Sequence, residues 1–148
     1  MMVRLEDLVS VAPRYTRAIN LERDAGSAAG VSGYVITTTA NDFLGRFRQS
    51  LTVGATHRAW TLTGPYGSGK SAFALYLSQL LGPAASANGK LARSMLRQQM
   101  PDTYRELFEQ SLKTRVTGTG FCSILVSGSP EPILGVIVLR PRPDGRPN

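Results

Sequence analysis

Residues 64–71 read Gly-Pro-Tyr-Gly-Ser-Gly-Lys-Ser, and no other stretch of the chain restricts its fold so strongly. Gly67 and Gly69 carry no Cβ and take positive φ freely, so the backbone can curl until successive N–H groups converge on one point. Ahead of the loop, Ala59-Trp60-Thr61-Leu62-Thr63 reads as a strand. Behind it, Ala72 to Leu81 reads as an apolar helix, stopped by Gly82-Pro83.

A strand, a curled loop and a helix in that order form a nest for an anion. The loop's N–H groups are joined by the unpaired N–H groups of the helix's first turn and by the positive end of its dipole. Pro65 has no N–H to give, a mild departure at the start of the loop. In such a nest Lys70 places a compact ammonium on the β- and γ-phosphates of a nucleotide. The Ser71 hydroxyl takes one position on Mg²⁺.

Over residues 59–82 the chain resembles the Walker A motif of P-loop NTPases. More loosely, Tyr15 to Leu81 is similar to AAA-type and STAND-type ATPases, in which a lead-in segment and a short helix precede the first strand. It is also similar to the beginning of large bacterial ATP-binding proteins, some of them associated with defence against phage. The resemblance implies an α/β fold, a three-layer sandwich around a parallel sheet, in minimal or incomplete form. It implies ATP, or less readily GTP, with Mg²⁺. Gly64, Pro65, Tyr66, Gly67, Ser68, Gly69, Lys70 and Ser71 would hold the nucleotide, with Lys70 as the catalytic cation and Ser71 as the metal ligand. Self-association or a place in a larger ATPase assembly is the corresponding partner expectation.

A chain of 148 residues suffices for one domain with a real core. Only 77 residues follow Ser71, room for about two further strands and their helices, since a βαβ unit takes roughly 30 residues or more. A five-stranded core does not fit, so the sequence points to a minimal, truncated or partner-completed domain. Its organisation reads as a lead-in segment over 1–33, a nucleotide-binding domain over 34–139 and a disordered Pro/Arg-rich tail over 140–148.

The net charge is +7 and the pI about 10.2, which raises nucleic acid as a partner. Yet the fourteen arginines and three lysines are dispersed with no adjacent basic run, the pattern of a solvated surface. Cys122 is the only cysteine, which excludes an intramolecular disulfide, and His57 the only histidine, which excludes a pair of imidazole metal ligands. Cys122 reads as a small buried residue and His57 as a loop residue. No secretory h-region and no apolar run near ~20 residues appears, so the chain reads as cytoplasmic with no membrane partner.

Along the chain, residues 3–11 are amphipathic and 25–33 form a small-residue loop. Tyr34-Val35-Ile36 is a short extended candidate and the place where an adenine would pack by likeness to AAA proteins. Ala40, Phe43, Leu44, Phe47 and Leu51 make a helical stripe, with Thr39 as N-cap. Leu91, Met95 and Leu96 mark another helix, ended by Pro101. Thr103 and Glu106 have capping-box spacing ahead of Leu107, Phe108, Ser111 and Leu112. Phe121 to Val126 is an apolar strand that suits a buried parallel sheet, and a second apolar run spans 133–139.

Hydrolysis needs an acid at the end of a strand beside the loop. Neither apolar run supplies one in place: the first ends in Ser127-Gly128-Ser129, and after the second Asp144 comes late. Glu131 and Ser127 are the residues close enough to be weighed, and both read first as turn residues. No arginine stands out as a finger. Trp60 reads as core within its strand, and Tyr66 as an exposed residue near the phosphates. The reading is therefore nucleotide binding with hydrolysis open. The alternatives are a small P-loop kinase, against which the 58 residues ahead of the strand argue, and a basic nucleic-acid-associated module with a regulatory or degenerate nucleotide site.

Overall fold

A computed structural model describes residues 4, 8–10, 19–52, 54–56, 59–112, 121–126 and 136–141. In chain order the elements are α1 (Leu21–Asp24), α2 (Ala28–Val31), α3 (Thr38–Ser50), α4 (Lys70–Leu81), α5 (Ala87–Gln99) and α6 (Pro101–Tyr104). The last runs directly into a π-helical segment, Arg105–Ser111, and two strands follow, β1 (Phe121–Val126) and β2 (Val136–Pro141).

Helix α4 organises the rest. Its sequence after Ser71 is apolar on nearly every side, and a helix of that kind must be surrounded. Phe73, Leu75, Tyr76, Leu77, Leu80 and Leu81 are buried, and Ser78 among them donates its hydroxyl to the Leu75 carbonyl at 2.8 Å. Around it α3 contributes Ala40, Leu44 and Phe47, α5 contributes Ala92 and Leu96, and the π-helical segment contributes Leu107, all in one continuous core.

Each neighbour starts where its sequence supplies a cap. Thr37, not Thr39, caps α3, its hydroxyl accepting from Ala40 N at 3.2 Å. The two-residue shift adds Thr38 and Thr39 to the helix ahead of the apolar stripe. Ser86 caps α5 by accepting from Gly89 N at 3.0 Å. Pro101, read in the sequence as a stop, also begins α6, because its missing N–H and fixed φ suit a first helical position. The capping box at Thr103 is not made, since Thr103 is already inside the helix, and its hydroxyl donates across to Asn41 Oδ1 of α3 at 2.7 Å.

The α/β sandwich with a parallel sheet is overturned. Among the described residues the body is helical, and the only ladder is antiparallel, β1 with β2, in a register that pairs Phe121 with Pro141 and Val126 with Val136. Ala59–Thr63 is non-helical and enters no ladder, and all five residues are exposed, whereas a parallel-sheet strand is covered on both faces. Tyr34–Ile36 likewise joins no sheet. Its Ile36 N–H donates to Gln99 Oε1 at 2.9 Å and its Tyr34 carbonyl accepts from Gln99 Nε2 at 3.2 Å, so one side-chain amide takes the place of a neighbouring strand. The Phe121–Val126 strand forms where its sequence predicts it, though with an antiparallel partner. β2 extends through Pro141, two residues into the stretch read as tail.

Candidate functional site

The Gly64–Ser71 loop stands at the N-terminal end of α4, outside the core that holds the rest of that helix. From Ala59 to Gly69 every residue is exposed, Tyr66 almost completely at 95%. Gly67 and Gly69 both lie in the left-handed region, at φ 80° and 82°, which a residue with a Cβ enters at a cost of about 1–2 kcal/mol. Pro65 and Ser68 close a turn between them, Ser68 N–H donating to the Pro65 carbonyl at 3.3 Å.

Gly69 is the N-cap of α4, so no side chain caps the helix, and its first turn contains no acid. Two of the usual ways of quieting a helix N-terminus are thus missing. The positive end of the dipole opens toward the loop.

Lys70 is the first residue of the helix, and its side chain turns back over the loop. Its ammonium donates to the Gly64 carbonyl at 2.7 Å, to the Pro65 carbonyl at 2.7 Å and to Ser68 Oγ at 3.2 Å. An ammonium has three protons, so these bonds account for all of them. Drawing two carbonyls onto Lys70 fixes the loop's shape and holds the cation over its mouth. An arriving anion can take the place of any of these acceptors, because charge-assisted bonds to phosphate oxygens are stronger than those to neutral carbonyls. Ser71 is half-buried at the start of the helix. As a hydroxyl it can offer one oxygen to a hard cation such as Mg²⁺, which ordinarily completes its shell with water and phosphate oxygens.

The loop is therefore assembled from the eight residues the sequence singled out, but without the strand expected behind it. What lies there is a non-helical approach anchored by Trp60. The indole, 39% exposed, meets the Phe43 ring edge-on at 5.6 Å and the Phe47 ring at 5.8 Å, both on α3. Phe43 in turn meets Phe73 of α4 at 5.2 Å, so the loop is bracketed at both ends by one aromatic cluster.

In the Tyr34 region Val35 is exposed and Tyr34 is half-buried. The Tyr34 ring stacks on Tyr76 at 4.7 Å, and Tyr76 donates its hydroxyl to the Ala92 carbonyl at 3.1 Å. Burial pushes the Tyr34 phenol up to about 12 and Tyr76 higher still, the latter also through its neighbour Tyr34. His57, Ser127, Glu131 and Asp144 lie outside the described residues, as do most of residues 3–11. Among the described residues no group of three or more His, Cys, Asp or Glu side chains gathers in a metal-binding cluster, and no helix is long and apolar enough to cross a membrane.

Sequence reasoning did not find Arg93. It donates from Nε to the Leu80 carbonyl at 3.2 Å and from a terminal nitrogen to the Gly82 carbonyl at 2.8 Å, with its guanidinium 4.8 Å from the centre of the Phe108 ring. Its position among dispersed arginines gave no signal of this. Compared with family models, with curated proteins and with solved structures, the chain matches none.

Proposed function

We propose that the Gly64–Ser71 loop binds the polyphosphate of a nucleoside triphosphate, ATP ahead of GTP, together with Mg²⁺. The single observation that carries this reading is the Lys70 ammonium held 2.7 Å from two loop carbonyls, above an exposed loop with two left-handed glycines. An uncapped, acid-free helix N-terminus at the same place supplies the complementary field. The support is local to the loop and its helix, and the reading asks nothing of a parallel sheet.

In this reading the loop's N–H groups and those of the first helical turn bind phosphate oxygens. Lys70 exchanges its carbonyl partners for β- and γ-phosphate oxygens, where a cation offsets charge that builds during phosphoryl transfer. Ser71 would supply one Mg²⁺ ligand. Hydrolysis requires an acid beside the loop, and binding is the activity proposed.

Titration of a fluorescent ATP analogue with Mg²⁺ tests it. The parent protein is expected to bind, unlabelled triphosphate to compete, and Lys70→Ala to weaken binding at least about tenfold, the loss of one charge-assisted contact. Equal affinity of Lys70→Ala and parent would sink the reading.

A further inference from the structure

Away from the loop, α3 and the segment from Pro101 to Ser111 enclose a groove of about 380 Å³, within the size range of small-molecule sites. Three features of its walls are unusual.

The first is Gly45, in the middle of α3. A glycine there costs about 1 kcal/mol of helix stability relative to alanine, and tight packing is the ordinary reason to keep one. Here a Cβ would meet nothing within 4 Å, so packing does not require it. The missing side chain instead leaves the helix backbone bare along the groove, where a flat group can lie against it.

The second is the π-helical turn that forms the opposite wall, carried by bonds such as Leu112 N to the Leu107 carbonyl at 2.9 Å. Such turns are rare and concentrate at functional sites, because the extra residue redirects side chains. The lining residues drawn from it are Glu106 and Leu107.

The third is the pair Arg48 and Glu106. Arg48 Nε faces Glu106 Oε2 at 3.2 Å yet is out of hydrogen-bond alignment, and it is shielded from water without a hydrogen-bond partner. The two side chains remain 35% and 48% exposed. Arginine has five N–H donors and a carboxylate about four acceptor positions, so one contact between them leaves both able to meet a ligand. Leu44 and Leu107 lie beneath the groove, fully buried in the core, and the Thr103 to Asn41 hydrogen bond at 2.7 Å joins the walls.

We infer that this groove is a second binding site, for a planar heterocycle with hydrogen-bond donors and acceptors side by side on one edge, the chemistry of a nucleobase. The bare backbone at Gly45 takes the ring's face. Arg48 donates to ring acceptors, and Glu106 accepts from ring N–H groups. Guanine matches the pair best, since along one edge its O6 acceptor suits an arginine and its adjacent N1–H and N2–H donors suit a carboxylate. The site is independent of the Gly64–Ser71 loop.

Guanosine, which carries no phosphate, is the probe, titrated into the full chain by calorimetry with ligand-observed NMR as a second readout. Saturable binding at or below about 1 mM is expected. Gly45→Leu should weaken it at least tenfold while the thermal midpoint stays level or rises, since leucine is a strong helix former entering open space. Glu106→Gln and Arg48→Lys should each weaken it several-fold, and Lys70→Ala should leave it unchanged. Absence of binding by the parent, undiminished binding by Gly45→Leu, or loss of binding in Lys70→Ala would each overturn the inference. Because guanosine has nothing for the phosphate loop to hold, its failure to bind leaves the triphosphate reading standing, and the failure of that reading leaves this one standing.

Discussion

At its C-terminal end α4 hands its carbonyls to its neighbours, while at its N-terminal end nothing of the kind occurs. Arg93 of α5 donates to the Leu80 and Gly82 carbonyls, and Gln79 Nε2 reaches the Ala25 carbonyl at 2.6 Å. A cation at the negative end of a helix dipole is favourable, and two otherwise unsatisfied acceptors are filled. The opposite end begins at a glycine with no side-chain cap, and its lysine binds loop carbonyls 5 and 6 residues back in the chain. One helix thus has a finished end set in the core and an unfinished end set in solvent. The contrast shows why an open N-terminus persists in a protein: burial of the remaining turns stabilises the helix enough that its first turn is free to face a ligand.

The largest effect should come from breaking the buried end. Leu80 is fully buried, and Leu80→Ala is expected to cost about 3 kcal/mol through lost transfer energy and a residual cavity. Urea unfolding measures this. A cost below about 1 kcal/mol would mean that the C-terminal half of α4 is not the packed centre described here.

Next comes Arg93. Arg93→Met keeps most of the aliphatic stem and removes both hydrogen bonds and the contact with the Phe108 ring. About 2 kcal/mol should be lost, the size of a pair of charge-assisted bonds to partly buried carbonyls. The effect should be insensitive to salt if the bonds to carbonyls dominate, and should shrink with added salt if the helix dipole does.

Alkaline pH probes the packing around the middle of α4. The Tyr34 phenol, stacked on Tyr76 of α4, is pushed by burial from 10.0 to about 12, and Tyr76 shifts the same way. In the unfolded chain both ionise near pH 10, while the folded protein holds their protons. Their contribution is therefore complete below pH 10 and falls as pH rises above it, that of Tyr34 being lost by about pH 12 and that of Tyr76 continuing to fall beyond. For one such group the loss approaches 1.4 kcal/mol per pH unit within that window. Denaturation midpoints measured at pH 9 and 11 should differ accordingly, and Tyr34→Phe should reduce the difference.

How far the sequence leads follows the same division. The loop was legible because eight contiguous residues define it, and glycine, lysine and serine each have a local reason to be there. Helices α3, α4 and α5 were legible from apolar spacing or an apolar run. The sheet was not. Ala59–Thr63 has strand-forming residues, but strand status depends on partners far along the chain, and the aromatic surface of α3 receives Trp60 instead. Phe121–Val126 carried its strand signal correctly, yet five or six apolar residues say nothing about parallel or antiparallel pairing. Arg93, Gln99 and Gln79 act through backbone carbonyls or amides remote in sequence, and no local pattern announces such bonds.

The smallest effect on stability, and the one that sharpens the contrast most, belongs to Gly69→Ala. Gly69 has φ 82°, and a Cβ there would meet nothing within 4 Å, so the substitution introduces no clash and acts on the backbone alone. An L-residue in the left-handed region should cost about 1 kcal/mol of folding stability, or less if the loop relaxes out of that conformation. Relaxation is the informative outcome, because it would also rotate the N–H groups of the loop and helix start away from their common focus. Affinity for a triphosphate should then fall more than stability does. D-alanine at position 69, introduced by semisynthesis, prefers the left-handed region and should restore both. If L-alanine lowers stability and leaves triphosphate affinity intact, the positive φ at Gly69 serves only to start the helix, and the open end of α4 is a structural terminus like any other.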